Sequence, residues 1–145
     1  MTITRTSHQH SPEDLAELVR LDGRLWPYWS SITAVAVALA ESGGNAFAMP
    51  VVLAAGKPAD RSVDVGLWQL NTYWQRRTFD SISELLDPSN NCRLAIDLCL
   101  FDGDPAWRPN WSYWTAYKAG AHNAYMGRAR TAVNVVRAEN GEAPL

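Results

Sequence analysis

The pattern of apolar and polar positions predicts two helices near the start of the chain. Ser11-Pro12-Glu13-Asp14 combines a capping serine, a proline at the first helical position and acidic residues in the first turn, and Gly23 is the natural end of this helix. A second helix runs from about Ser31 to Glu41 and is almost wholly apolar before Ser42-Gly43-Gly44 ends it. Because a helix that is apolar on all sides is a buried one, we expect the second helix at the centre of the domain.

The stretch after the second helix predicts a small β lobe. Residues 45–61 are irregular and contain two prolines and a glycine, and Val63 and Val65 then alternate with polar residues before Gly66. Alternation with a period of two, bounded by turn-forming residues, is typical of a short hairpin or an extended lobe.

The second half of the chain predicts further helices. Ser81-Ile-Ser-Glu84 is a capping-box pattern for a short helix, and Asp87-Pro88 opens a longer one that stops near Gly103. An aromatic segment, Trp111–Tyr117, precedes a last helix from roughly Asn123 to Glu139.

The predicted fold is therefore mainly α, with a helical core and a small β-hairpin lobe around residues 50–70. With 145 residues the chain is long enough for one domain with a real core and too short for two ordinary ones, so we expect a single domain over residues 1–145. Residues 1–10 are polar and are expected to form a flexible terminus.

Charge and hydropathy exclude several classes of protein. Thirteen basic against fifteen acidic side chains give a net charge of −2, which offers no footprint for nucleic acid. The longest apolar run, Ile32 to Ala40, is about half of what a bilayer requires, so no membrane insertion is expected. The polar N-terminal residues contain no secretory signal, so we expect the protein to be made in the cytoplasm.

Cysteine and histidine usage predicts neither a disulfide nor a metal site. Cys92 and Cys99 lie on one face of a predicted helix, separated by roughly 10 Å of helix rise, and cannot bridge each other. We interpret them as free, buried thiols. His8 and His10 alone do not make a metal site, and no metal or other cofactor is expected.

Seven tryptophans are the anomaly of the composition. Such an excess indicates either a heavy aromatic core or a surface that stacks on flat ligands such as sugar rings. Five of the seven are expected to fill the core or seal loops: Trp26, Trp29, Trp107, Trp111 and Trp114.

Glu41 is the first candidate for chemistry. Cleavage of a glycosidic bond needs an acid that is still protonated near neutral pH, and a carboxyl group in an apolar setting meets this need. Glu41 follows a run of apolar residues and lies at the carboxyl end of its helix, where the dipole disfavours a negative charge, so we expect a raised pKa. The alternative is an ordinary solvated glutamate at a helix end.

Asp64 is the second candidate. A carboxylate across a cleft from the acid could stabilise the oxocarbenium-like transition state, form a covalent intermediate or activate water, and spacing alone does not choose among these roles. The alternative is a turn residue before Gly66.

Four segments in order resemble the motifs of a known family. Ala40–Asn45 resembles the catalytic Glu-Ser motif of the lysozyme superfamily, and Arg61–Trp74 is similar to the lysozyme stretch in which an Asp precedes a Gly-hydrophobic-hydrophobic-Gln-Ile-Asn run ending in aromatics. Leu85–Asn91 and Ala116–Gly120 resemble two later motifs of lytic transglycosylases, with Lys118 where that family has an asparagine. The resemblance covers about residues 31 to 130 and implies an α+β lysozyme-like fold.

The resemblance also implies roles for individual residues. Glu41 matches the general acid, and Asp64 matches the second carboxylate of animal-type lysozymes. Six further residues match substrate-binding positions, of which Tyr73 and Trp74 fall where rings stack on sugars and Tyr117 closes the site near the acid. The six are Ser42, Gln69, Asn71, Tyr73, Trp74 and Tyr117. Trp68 takes a position that the family fills with a large apolar residue, which implies a core residue at the floor of the cleft.

The resemblance implies a glycosidase that cleaves the β-1,4 bond between N-acetylmuramic acid and N-acetylglucosamine in peptidoglycan. Attack by water would make the protein a lysozyme, whereas attack by the muramic 6-hydroxyl would make it a lytic transglycosylase that leaves 1,6-anhydromuramic ends. Asp64 favours the hydrolase, and chitin-type glycans stay open as a substrate. A non-catalytic wall-binding or structural module of a phage particle is the alternative from another class.

Without a secretion signal, a wall-degrading enzyme needs another route out of the cell. Phage endolysins and hydrolases carried in virions both meet this condition, so we expect a phage protein that acts at the bacterial cell wall, with other virion or tail proteins as possible partners. A bacterial protein exported by a dedicated machine is the alternative.

Overall fold

The computed structural model describes residues 8–22, 28–49, 63–74, 81–100 and 109–145. Within these ranges the chain forms six α-helices, one 3₁₀ helix at Ala121–Tyr125 and a two-stranded sheet. The helices are α1 (Pro12–Asp22), α2 (Tyr28–Ser42), α3 (Ile82–Leu86), α4 (Pro88–Leu100), α5 (Thr115–Lys118) and α6 (Met126–Glu139). The strands are β1 (Asp64–Val65) and β2 (Leu70–Asn71). The prediction of a mainly helical fold with a small β lobe is confirmed.

Helix α2 lies at the centre of the domain, as its apolar sequence predicts. Ile32 and every residue from Ala34 to Leu39 are at most 4% exposed, and the helix packs against α1, α6, α5 and the 3₁₀ helix. Burial of each valine or leucine side chain contributes about 1.5–3 kcal/mol, so this helix is a major source of stability. It begins at Tyr28, three residues before the predicted start.

Helix α1 begins where its capping signal predicts. The Ser11 hydroxyl accepts the backbone N–H of Asp14 at 3.1 Å, and the Asp14 carboxylate accepts the Ser11 N–H at 3.0 Å. This reciprocal pair satisfies two backbone donors at the helix start. The helix ends at Asp22, and its predicted stop, Gly23, lies outside the described residues.

The β lobe contains one antiparallel pair, in which Asp64 faces Asn71 and Val65 faces Leu70. The turn between the strands begins at Gly66, whose φ is +81°. A Cβ at this position would lie 2.4 Å from the Asn91 side chain and 2.5 Å from the Leu85 carbonyl, so only glycine fits. The part of the predicted lobe from 50 to 62 lies outside the described residues.

Asn91 on α4 attaches this turn to the helical core. Its Nδ2 donates to the carbonyls of Val65 and Leu85, at 2.9 and 2.8 Å, and its Oδ1 accepts the N–H of Trp68 at 2.9 Å. The side chain is fully buried, so these three bonds satisfy it without water and hold the turn in register.

The predicted capping box at Ser81 does not form, which corrects that part of the sequence analysis. Helix α3 starts at Ile82 as expected, but the Ser81 side chain makes no capping bond and instead shares a hydrogen bond with the hydroxyl of Ser83 at 2.7 Å. The Ser81 hydroxyl thus bonds to a neighbouring side chain rather than to the backbone of the helix. Asp87 does cap α4, because its carboxylate accepts the Asn90 N–H at 2.9 Å.

The C-terminal helix also starts later than predicted. Residues from Ala121 to Tyr125 form the 3₁₀ helix, so the α-helical ladder of α6 begins at Met126 rather than Asn123. The inward face of the helix includes four residues that are at most 5% exposed: Ala129, Ala132, Val133 and Val136. The helix packs on α1 and α2.

The remaining sequence predictions concern the two cysteines and the tryptophans. Cys92 and Cys99 are free and buried, as expected, and burial raises the pKa of the Cys92 thiol. Trp68, Trp111 and Trp114 are core residues, at most 4% exposed. Trp26 and Trp107, the side chain of Trp29 and the helix end near Gly103 lie outside the described residues.

Residues near the N-terminus pair with the segment that follows α2. His8, Gln9 and His10 belong to the segment predicted to be flexible, and here they pair with residues 44–46, with the His10 N–H donating to the Gly44 carbonyl at 2.7 Å.

In the part of the chain that the structure describes, no helix is both long and apolar enough to cross a bilayer.

Candidate active site

Among the described residues, a cleft of about 210 Å³ lies between the end of α2, the β lobe and the segment that enters α5. The three elements are far apart in the sequence, so the cleft exists only in the folded chain. Eight residues line it: Glu41, Asp64, Gln69, Asn71, Trp74, Tyr113, Trp114 and Thr115.

Glu41 projects into this cleft from the last turn of α2. Burial raises the pKa of its carboxyl group above the ordinary value, and the charge of Asp64 raises it further, whereas a hydrogen bond from the Ala116 N–H opposes the shift. That N–H lies 3.2 Å from Oε1, so Oε1 serves as an acceptor and the proton of the neutral acid belongs on Oε2. The predicted rise in the pKa is confirmed, with burial as its main cause.

Asp64 faces the same cleft from β1. Burial raises the pKa of this carboxyl group too, but a hydrogen bond from the Asn71 side chain opposes the rise. The Asn71 Nδ2 donates to Oδ1 of Asp64 at 2.9 Å. Hydrogen bonds to a carboxylate favour its charged form. Glu41 and Asp64 thus share one cleft but have different neighbours.

Asn71 has a donor role and an acceptor role at once. Its Oδ1 accepts the backbone N–H groups of Tyr73 and Trp74 at 2.9 and 3.0 Å, while its Nδ2 faces Asp64. Two N–H donors on one side of the carboxamide fix which end is oxygen, and the amide is therefore oriented by its surroundings. Asn71 builds the lobe as well as lining the cleft.

Gln69 lines the cleft next to Asn71 and has an unusual backbone. Its φ of +49° lies in the left-handed region, which non-glycine residues adopt at a cost. The side-chain Nε2 donates to the carbonyls of Ala48 and Gly66 at 3.0 and 2.9 Å, which offsets that cost. These bonds also join the lobe to the segment that follows α2.

The aromatic residues of the predicted site are divided between the cleft and its surroundings. Trp74 lines the cleft and is 56% exposed, so its ring is open to a ligand. Tyr73 packs edge-on against Trp74, with ring centroids 5.0 Å apart, and lies outside the lining. Tyr117 also lies outside it and stacks on His122 at 4.5 Å.

Ser42 follows Glu41 but does not line the cleft. Its hydroxyl donates to the Ala38 carbonyl at 2.9 Å and accepts the Gly44 N–H at 3.2 Å. These bonds terminate α2 immediately after Glu41. In this structure Ser42 therefore fixes where the helix ends.

Three lining residues were not among the predicted site residues: Tyr113, Trp114 and Thr115. Trp114 is 1% exposed and its Nε1 donates to the Trp68 carbonyl at 2.7 Å, so it belongs to both the core and the cleft wall. The density of aromatic residues between 111 and 117 was the available signal. The backbone N–H of Ala116, which binds Glu41, has no signature in the sequence.

One family of known proteins matches the part of the chain that forms the cleft. Residues 29–116, more than half of the chain, match the family described as "Lysozyme like domain". The chain belongs to this lysozyme-like family. No curated protein and no solved structure matches the chain. The matched residues run from α2 to α5, so all eight lining residues of this lysozyme-like domain lie within them. Membership of this family suggests an activity on peptidoglycan, as a glycosidase or as a transglycosylase.

Proposed function

We propose that this lysozyme-like domain hydrolyses the β-1,4 bond between N-acetylmuramic acid and N-acetylglucosamine in peptidoglycan. The observation that carries the proposal is that Glu41, with its raised pKa, and Asp64 line one cleft although they come from different elements. Two carboxyl groups that flank a glycosidic bond are the usual machinery of glycoside cleavage.

In the proposed mechanism Glu41 is the general acid. Its Oε2 proton passes to the bridging oxygen as the bond to the anomeric carbon breaks, so that the leaving sugar departs as an alcohol. The Ala116 N–H holds the other carboxyl oxygen and keeps the acid aimed into the cleft. As Glu41 becomes negative, its burial and the nearby Asp64 make it ready to regain a proton.

Asp64 supports the positive charge that develops on the sugar ring. The Asn71 amide favours its ionised form, which is the form that stabilises an oxocarbenium-like transition state. Water then completes the reaction at the anomeric carbon. The exposed ring of Trp74 provides an apolar face on which a pyranose ring can stack.

The test is a digest of purified peptidoglycan by the wild type, Glu41→Gln and the control Glu13→Gln. Glu13 is an exposed acid on α1, so the control makes the same chemical change outside the cleft. We expect the wild type and Glu13→Gln to release fragments with reducing ends at equal rates, and Glu41→Gln to be slower by at least about a hundredfold. An unchanged rate in Glu41→Gln would contradict the proposal.

Mass spectrometry of the same fragments distinguishes the two reactions. Reducing ends support hydrolysis, whereas 1,6-anhydromuramic ends would replace it with lytic transglycosylation. Cleavage of chitin oligomers but not of peptidoglycan would overturn the assignment of peptidoglycan as the substrate. A phage origin, virion partners and action at the bacterial wall stay predictions from the sequence.

A further inference from the structure

We propose that Tyr113 is a positioning residue for Asp64, and that its hydroxyl acts through Asn71. The inference rests on the proposed function, since it assigns a role within the same cleft. Tyr113 lines the cleft, and its hydroxyl oxygen accepts the backbone N–H of Asn71 at 3.1 Å. The same Asn71 donates its side-chain amide to Asp64 at 2.9 Å.

The strand geometry explains why Asn71 turns its backbone toward Tyr113. The Thr72 N–H donates across the sheet to the Val63 carbonyl at 2.8 Å. Successive residues of a strand direct their N–H groups to opposite edges, so Asn71 presents its own N–H on the edge away from β1. Tyr113 approaches from that edge. Its hydroxyl therefore fixes the end of β2 from the side that β1 leaves open.

The position of the Tyr113 ring is itself fixed by the core. It packs edge-on against Trp114, with ring centroids 5.1 Å apart. Trp114 is fully buried and donates from Nε1 to the Trp68 carbonyl at 2.7 Å. A ring held by a buried neighbour can hold a hydroxyl in place at low entropic cost.

The same short segment also holds the acid. Ala116, three residues after Tyr113, donates its N–H to Glu41 at 3.2 Å. One segment thus contacts Glu41 directly and Asp64 through Asn71. This arrangement sets the positions of the two carboxyl groups relative to each other, which is the quantity that a two-carboxylate mechanism depends on.

The experiment compares Tyr113→Phe with the control Tyr125→Phe. Both variants lose a hydroxyl from a half-buried tyrosine and keep the ring, but Tyr125 lies on the 3₁₀ helix outside the cleft lining. For Tyr113→Phe we expect kcat on peptidoglycan to fall about three- to tenfold, with KM changed by less than about twofold. Tyr125→Phe should retain both values.

A double variant separates positioning from direct contact with the substrate. In an Asp64→Asn background the Tyr113→Phe change should have no further effect on kcat, because its route to the reaction is through Asp64. A further loss of the same factor, or a rise in KM in place of the fall in kcat, would mean that Tyr113 contacts the sugar itself and would overturn the proposal.

A measurement that needs no activity tests the same link. In an NMR titration of the Asp64 carboxyl carbon, Tyr113→Phe should raise the pKa of Asp64 above that of the wild type, because the opposing bond from Asn71 weakens. An unchanged pKa would overturn the positioning role even if the wild type digests peptidoglycan. Conversely, an inactive wild type would end the proposed function while leaving this titration informative.

A second titration covers the case in which Tyr113→Phe does not fold. In the wild type, the backbone amide of Asn71 and the ring carbons of Tyr113 should shift in step with the ionisation of Asp64, since the three groups are joined by hydrogen bonds. Signals that follow only Glu41, the other acid lining this cleft, would overturn the proposal.

Discussion

The two carboxyl groups of the cleft are held in different ways. Glu41 is placed by one regular element, because the apolar helix α2 carries it to the cleft and ends one residue later. Asp64 lies on a strand of two residues, and its position depends on the Asn71 amide of the neighbouring strand and on side chains outside the lobe. The helix places Glu41 through its own backbone, whereas the lobe depends on hydrogen bonds with Asn91 and Tyr113.

The electrostatic surroundings of the two carboxyl groups also differ. Burial raises the pKa of both groups, and a hydrogen bond opposes the rise in each case, from the Ala116 N–H at Glu41 and from the Asn71 amide at Asp64. Only at Glu41 does a neighbouring charge, that of Asp64, add to the rise. The rise at Glu41 is reinforced by the charge of its neighbour, whereas the Asn71 amide limits the rise at Asp64, and this difference suits an acid and a stabilising carboxylate. The comparison can be tested at four levels, from the largest expected effect to the smallest.

Replacement of Asp64 by Asn should have the largest effect. Loss of the charge that stabilises the sugar cation should slow peptidoglycan hydrolysis by about a hundred- to a thousandfold, while the folded structure is kept. The control is Asp97→Asn, an exposed acid on α4. Retention of most of the activity, together with anhydro ends, would mean that Glu41 works alone and that Asp64 has no chemical role.

Asn91→Ala should weaken the lobe. The change removes three buried hydrogen bonds to the Gly66 turn, so we expect the free energy of unfolding in urea to fall by about 3 kcal/mol. Asn90→Ala, at the adjacent position, should cost about 0.5 kcal/mol or less. If the two variants are equally stable, the lobe does not depend on Asn91.

Trp74→Ala should affect substrate binding more than stability. The residue is 56% exposed, so loss of its ring should leave the unfolding free energy nearly unchanged and raise KM about tenfold through lost stacking on the sugar. Trp74→Phe should recover part of the loss. Equal KM values for the wild type and Trp74→Ala would remove this residue from the binding site.

The smallest effect concerns stability as a function of pH. Because the folded state raises the pKa of Glu41 above 4.5, the native protein holds this proton more tightly than the unfolded chain. Stability is therefore lost as pH rises through the folded pKa. Glu41→Gln lacks this loss, so its stability relative to the wild type should increase as the pH rises above 4.5. A difference in urea melts that does not change with pH would contradict the raised pKa of Glu41.

Much of the site could be predicted because its signals are local. The apolar run before Glu41 and the pair of glycines after Ser42 define a buried helix that ends at the acid. The Asp64 motif and the resemblance to lysozymes placed the second carboxylate and Trp74. The capping box predicted at Ser81 did not form, although its pattern is local too: the Ser81 hydroxyl pairs with that of Ser83 and makes no capping bond.

The sequence by itself determined the central helix, the acid at its end and the glycine turn of the lobe, because each follows from the spacing and side chains of a few adjacent residues. Only the tertiary structure decided what holds the carboxyl groups. The Ala116 N–H reaches Glu41 across 75 positions, and Tyr113 reaches Asn71 across 42. Backbone donors are the same in every residue but proline, so only folding shows which of them meets a given side chain.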